Sequence, residues 1–253
     1  MTDQPHSRRI YYGWYVLAAG FAILATAIAI RSSFGIFFKP ILTEIGVSRS
    51  ALSLPVALSF ILYGAIQPVS GFLINRYGVR AVTVAGSLIS GIAVLGMSQI
   101  DSLFGIYFFF GILLAIGGVG NGPAPVVSLA TSWFRKRRGM ALSIAFVGIS
   151  TGQLVGFPLI VRLLEAVGWR ASFVWLGLVL ILGLAPLCFW IIRNSPKDVN
   201  FPSEEVAGLV GEEEAPVLSF RLVLTQVVRT PSFLILSSAF FSAGYAVSTM
   251  YIH

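Results

Sequence analysis

The stretch at 71–80, GFLINRYGVR, constrains this chain more than any other feature, because it is clamped between two long apolar runs. A helical apolar run of about 20 residues matches the roughly 30 Å hydrocarbon thickness of a bilayer. A link this short, with Gly71 and Gly78 for a tight backbone and Arg76 and Arg80 as cations, therefore joins two membrane-crossing helices at one face.

The same alternation recurs along the chain. Hydrophobic residues make up 57% of the 253 and charged residues only 11%, which lies outside the range of soluble globular domains. The apolar runs predict seven spans, at 12–38, 51–74, 81–99, 103–131, 140–164, 171–192 and 232–253. Links are short except for the one before the last run, so neighbouring spans run antiparallel in an up-and-down bundle. The expected fold class is an all-α membrane protein. Its expected organisation is an N-terminal segment at 1–11, a six-span block at 12–192, a central link at 193–231 and a seventh span at 232–253. The middle of that link, PSEEVAGLVGEEEAP, is acidic with Pro and Gly and reads as a solvated linker. The stretch at 217–230 is either a helix lying in the membrane interface or a turn leading into the seventh span.

Charge gives the orientation. The N-terminal MTDQPHSRR precedes an apolar run too long for a cleavable signal, so the first span is expected to be retained. With the N-terminus inside, one face collects Arg8, Arg9, Arg76, Arg80, the run Arg135, Lys136, Arg137 and Arg138, and Arg193, Lys197, Arg221 and Arg229. The other face keeps only Lys39, Arg49 and Arg170, so a cytoplasmic N-terminus in a plasma (inner) membrane is expected. The formal charge of +7 thus belongs to topology, and a nucleic-acid partner is not expected. Four consecutive cations in WFRKRRG fit the same reading, and they face GFLINRYGVR as a possible inner gate.

Composition also removes chemistry. The histidines are His6 and His253, and Cys188 is the lone cysteine, so neither a metal site nor a cofactor is expected and no hydrolytic triad can be assembled. No Asp or Glu falls inside an expected span. That leaves an enzyme without acid–base groups at membrane depth.

What remains polar at depth is informative. Arg31 lies about 28 Å along the first span at 1.5 Å per residue and has no carboxylate partner in any span. A charge in hydrocarbon is costly, about 2.5–3.5 kcal/mol on the insertion scale, so an intramembrane arginine is a functional pointer. Facing a cavity it would attract an anion, its planar fork suiting a carboxylate. Otherwise it snorkels to headgroups or pairs with another segment. Ser32, Asn121 and Gln153 complete the candidate substrate-binding set, with Ser33, Tyr63 and Gln67 also at depth. The glycine-rich 117–125 follows no strand and precedes no Lys-Ser/Thr, so it is not a phosphate loop. Pro123 and Pro125 instead predict a bent span. Gly148, Gly152 and Gly156, four residues apart, mark a helix-packing stripe.

At this point a family is recognisable. The order of residues in GFLINRYGVR resembles the signature loop of the major facilitator superfamily, Gly-x-x-x-Asp-Arg-x-Gly-Arg-Arg. YYGWYVL, FGIFFKPILTEIGVSRSALS, WFRKRRGMALSIAFVGISTGQLVGFP and VGWRASFVWLG resemble its monocarboxylate-porter and oxalate/formate-exchanger group. The resemblance implies two six-helix halves around a cavity exposed alternately to each side. It implies a secondary transporter of small organic anions such as monocarboxylates, with a proton or counter-anion as coupling partner. Gly71, Asn75, Arg76, Gly78 and Arg80 map onto the gate motif, with Asn75 where the motif carries aspartate. The porters often carry a lysine late in the first span; Ser32 falls nearest it, and Arg31 is one residue away. The chain would be the N-terminal half plus the seventh span, and residues 1–253 alone are expected not to transport without the second half. The alternatives are a carrier of drugs or sugars within the superfamily, or a non-transporting seven-helix protein.

Overall fold

Two glycines set the architecture. In the computed structural model, which describes residues 11–134 and 137–194 together with Thr230, Pro231, Ile235 and Ser238, every described element is a helix. The elements are α1 (Gly13–Ser32), α2 (Phe34–Ile45), α3 (Arg49–Met97), α4 (Leu103–Ile106), α5 (Leu114–Gly120), α6 (Pro123–Trp133), α7 (Arg138–Leu178) and α8 (Ala185–Ile191). Two wide π-helical turns, Tyr107–Leu113 and Val179–Leu184, lead into α5 and α8. Helices α3 and α7 are each two spans joined at a single non-helical residue, Gly78 (φ 82°) and Gly168 (φ 77°). Both sit in the left-handed region that side chains with a Cβ disfavour.

The described part of 12–192 thus contains six spans, with differences at the links. The ten-residue turn expected at 71–80 shrinks to Gly78, because helix continues through Tyr77 and resumes at Val79. The link expected between the fifth and sixth spans likewise reduces to Gly168. The first span does not stop at residue 38. Helix α2 carries on through Pro40 to Ile45, since Phe37 and Ile41 bury a face on the bundle while Lys39, Thr43 and Glu44 take the polar side. The fourth span breaks at Asn121–Gly122, where Pro123 and Pro125 begin α6 without the backbone donors a continuous helix would use. The expected interfacial helix or turn at 217–230, apart from Thr230, and most of the seventh span lie outside the described residues, as do the expected linker at 202–216, the N-terminal segment through residue 10, and Arg135 and Lys136.

Close approaches give the order of packing. Gly148, Gly152 and Gly156 lie against Phe21, Ala25 and Ala29, so the fifth span runs parallel to the first in step. A Cβ on Gly148 or Gly152 would overlap the first span's backbone. Gly86 and Gly91 of the third span meet Gly120 of the fourth and Gly177 of the sixth, in opposite senses. The Ser70 hydroxyl donates to the Val119 carbonyl at 3.1 Å, holding the second and fourth spans side by side. Small residues let these backbones approach where no hydrophobic effect drives helices together.

The chain divides into two units, residues 1–210 and 211–253. In the second, the Ser238 hydroxyl donates to the Ile235 carbonyl at 2.9 Å, one turn back along the chain.

Candidate functional site: a half-buried arginine at an apolar cavity

A cavity of about 100 Å³ lies inside the six-span bundle. Its walls are mostly apolar, from Leu24 and Ile28 on α1 to Leu114, Ile149 and Leu180 on later spans. Its polar lining is Arg31, Tyr63, Ser90 and Asn121.

Arg31 is held by three contacts from the second span. Its guanidinium lies 4.6 Å from the Phe60 ring centre and 4.4 Å from that of Tyr63. One terminal nitrogen, Nη2, donates to the Ser59 carbonyl at 3.2 Å. The aromatic faces stabilise the cation where water is scarce. They do not satisfy its donors, and the other terminal nitrogen, Nη1, is buried without a hydrogen-bond partner. The Ser59 hydroxyl beside it is also buried and unpaired. Among the described residues Arg31 makes no ion pair; the pairs found there belong to Arg170. An orphaned buried donor costs about 1–3 kcal/mol, more when charged, so this site can repay an acceptor that enters it.

Asn121 sits at the break in the fourth span and is 1% exposed. Its Oδ1 accepts from the Ser87 hydroxyl at 2.9 Å and its Nδ2 donates to Ser90 at 3.4 Å. The amide is thereby oriented, and Gly118, Gly122 and Pro123 on either side of the break line the cavity. Ser32 is exposed and Gln153 half-buried, and neither lines the cavity. The structure therefore brings Arg31 and Asn121 together and leaves Ser32 and Gln153 apart from them.

Tyr63 and Pro123 also line a wider, more open groove of about 750 Å³. That groove runs past Gln67 to Gly71, Asn75, Ser128 and Thr131. Gly122 packs where a side chain would strike the Tyr63 hydroxyl. The aromatic wall of Tyr63 thus separates the enclosed cavity from the groove.

The rest of the turn expected to form a gate lies beyond. Arg76 is exposed with its guanidinium 5.4 Å from the Tyr77 ring, and Arg80 lies 4.1 Å over Phe189. Arg137 and Arg138 are exposed at the start of α7. Sequence reasoning missed Phe60 and Ser59, and Asn194, whose Oδ1 accepts the Arg80 N–H at 3.0 Å. An aromatic three residues before Tyr63 was the available signal for Phe60; nothing in the local sequence marks the other two.

The Major Facilitator Superfamily profile matches residues 15–253. The oxalate:formate antiporter of Oxalobacter formigenes is 26% identical over 234 residues, covering 92% of this chain and 52% of that protein. Monocarboxylate transporter 1 of Rattus norvegicus is 28% identical over 166 residues, 66% of this chain and 33% of the relative. This chain therefore spans about half or less of the length of these relatives. A crystal structure of a bacterial homologue of the human lysosomal transporter Spinster, inward-facing and unoccupied, superposes with a TM-score of 0.63. It is 19% identical and covers 74% of this chain and 44% of its own, a likeness of fold alone. The similarity to the oxalate/formate and monocarboxylate group is thus established, and this chain belongs to the Major Facilitator Superfamily.

Proposed function

We propose that this chain supplies the first half of an alternating-access carrier for small organic anions, monocarboxylates among them. The observation that carries the reading is Arg31, whose buried Nη1 stands unpaired beside an otherwise apolar cavity. A carboxylate there would replace the missing acceptor and neutralise the charge, while Leu24, Ile28 and Leu114 exclude water around it. The groove past Tyr63 and Asn75 is the route of entry, and the turn at Gly78 with Arg76 and Arg80 is part of the gate on that side. Relatives named for oxalate, formate and monocarboxylates favour this substrate class over drugs or sugars.

On this reading the end of the bundle carrying Gly78 faces the cytoplasm, because the cations gather there. Substrate movement is coupled to a counter-anion or a proton. A second six-span half completes the central pathway and is required for transport. The chain works in a plasma membrane, as a carrier rather than an enzyme, with no cofactor or metal.

A ligand screen on the purified protein tests the substrate class. Formate, oxalate, lactate and pyruvate should raise its thermal stability in proportion to occupancy. Neutral sugars at the same concentrations should leave it unmoved. Stabilisation by sugars or lipophilic cations, with none by the anions, would overturn the reading.

A further inference from the structure

The third span starts at Gly78 with a deficit. The first N–H groups of a helix have no partner within it, and a capping side chain normally supplies the acceptor. Glycine has no side chain to offer. The acceptor comes instead from the far end of the six-span block: Asn194 Oδ1 receives the Arg80 N–H at 3.0 Å, across 114 residues of sequence.

The fit is reciprocal. Gly78 adopts φ 82°, and a Cβ built on it would fall 2.6 Å from both Oδ1 and Nδ2 of Asn194. The turn therefore favours glycine for its backbone angle, and a side chain there would push the Asn194 amide out of its place. Two residues on, the Arg80 guanidinium lies 4.1 Å over Phe189 of α8. The same segment is anchored elsewhere as well. The Tyr12 hydroxyl donates to the Ile191 carbonyl at 2.8 Å, and the Trp133 indole donates to the Arg193 carbonyl at 3.3 Å. The exit of the sixth span thus holds the first span, the fourth span and the Gly78 turn together.

We propose that Asn194 is a positioning residue that caps the third span in trans. It locks the Gly78–Arg80 turn to the exit of the sixth span, so that the turn and the start of the central link move as one body. This rests on the reading of that turn as part of a gate.

Amide hydrogen exchange at Arg80 tests the cap directly, on the full chain in lipid nanodiscs. Asn194→Ala should speed exchange of that amide by at least about fivefold, the loss of a helix cap. Asn194→Asp should preserve protection, since its carboxylate keeps the acceptor and suits a helix N-terminus. Unchanged protection in Asn194→Ala, or an Asp variant that behaves like Ala, would overturn the proposal. If Asn194→Ala does not fold, Asn194→Gln serves, because one added methylene displaces the acceptor while keeping the amide.

A second readout separates the cap from the gate. Tyr77 is 56% exposed and Cys188 is fully buried, so Tyr77→Cys gives one reactive thiol beside the turn. Its labelling rate should change with oxalate or lactate, and Asn194→Ala should abolish that change while Asn194→Asp retains it. A rate indifferent to these anions in the parent Tyr77→Cys protein would refute the gate and, with it, the coupled movement. A response that survives Asn194→Ala would refute the coupling alone.

Discussion

The two ends of the six-span bundle are closed by opposite chemistries. At the end where the described chain begins, which also carries Arg76, Arg80, Arg137 and Arg138, the closing contacts are mainly between aromatic rings. Trp133 and Phe134 are each 2% exposed, with Tyr11, Tyr12 and Trp14 packed around them at ring separations of 5.4–6.3 Å. The Tyr11 hydroxyl donates to the Trp133 carbonyl at 2.6 Å. At the opposite end one half-buried cation gathers three elements. Arg170 donates to Glu44 at 2.9 Å, to Asp101 at 2.8 Å, and to the Ser98 and Ile100 carbonyls at 3.0 Å each. The Trp169 indole completes the clasp by donating to Glu44 at 2.5 Å. Apart from the Arg80 guanidinium over Phe189, the first rim draws on buried area and hydrogen bonds between neutral groups, which salt hardly touches. The second draws on solvated charge, which is individually weak and screened. These contacts predict that the rim bearing the Gly78 turn is the more durable, and that the ionic rim is the one solution conditions loosen.

The sharpest way to break that comparison is Trp133→Ala. It removes a fully packed indole and the aromatic contacts around it, and should cost about 3–5 kcal/mol in unfolding experiments. A loss no larger than that of a far-rim variant would put the durable end in the wrong place. Between the rims, Gly152→Leu forces a side chain into the Ala25 backbone and should cost about 1–3 kcal/mol, or block folding. Gly78→Ala should cost about 1–2 kcal/mol from the left-handed backbone alone, and more where Asn194 must withdraw. At the far rim Glu44→Gln should give the smallest change. Its destabilisation should be visible in low salt and should fade toward 1 M salt, where the screening length falls to about 3 Å. A Glu44→Gln effect that persists in high salt would mean that the clasp acts by packing rather than charge.

Much of the fold was legible because bilayer thickness writes itself into run length. The runs at 51–74 and 81–99, and the bend foreseen from Pro123 and Pro125, appear in the structure as two antiparallel spans and a broken fourth. The links were harder. A turn made by one glycine leaves the residues on either side helical, so polar residues such as Asn75 and Arg76 signal the membrane edge and not the helix end. Helix α2 outran its apolar stretch because a half-buried helix needs only one greasy face.

The site was legible only as far as single residues allow. Arg31 and Asn121 stand out as polar groups in apolar runs, and they do share a cavity. Ser32 stood out equally, but one step along a helix turns a side chain by about 100°, and it points elsewhere. Asn194 was invisible, since a cap delivered across 114 residues leaves no local pattern.

The most direct test of the account is the affinity of the purified protein for labelled oxalate and lactate, measured with and without Arg31. Removing a charge-assisted contact at a buried donor predicts that Arg31→Gln weakens binding about 10- to 100-fold, with Arg31→Lys in between. A folded Arg31→Gln protein that binds both anions as tightly as the parent would contradict the account, because no other described cation lines that cavity.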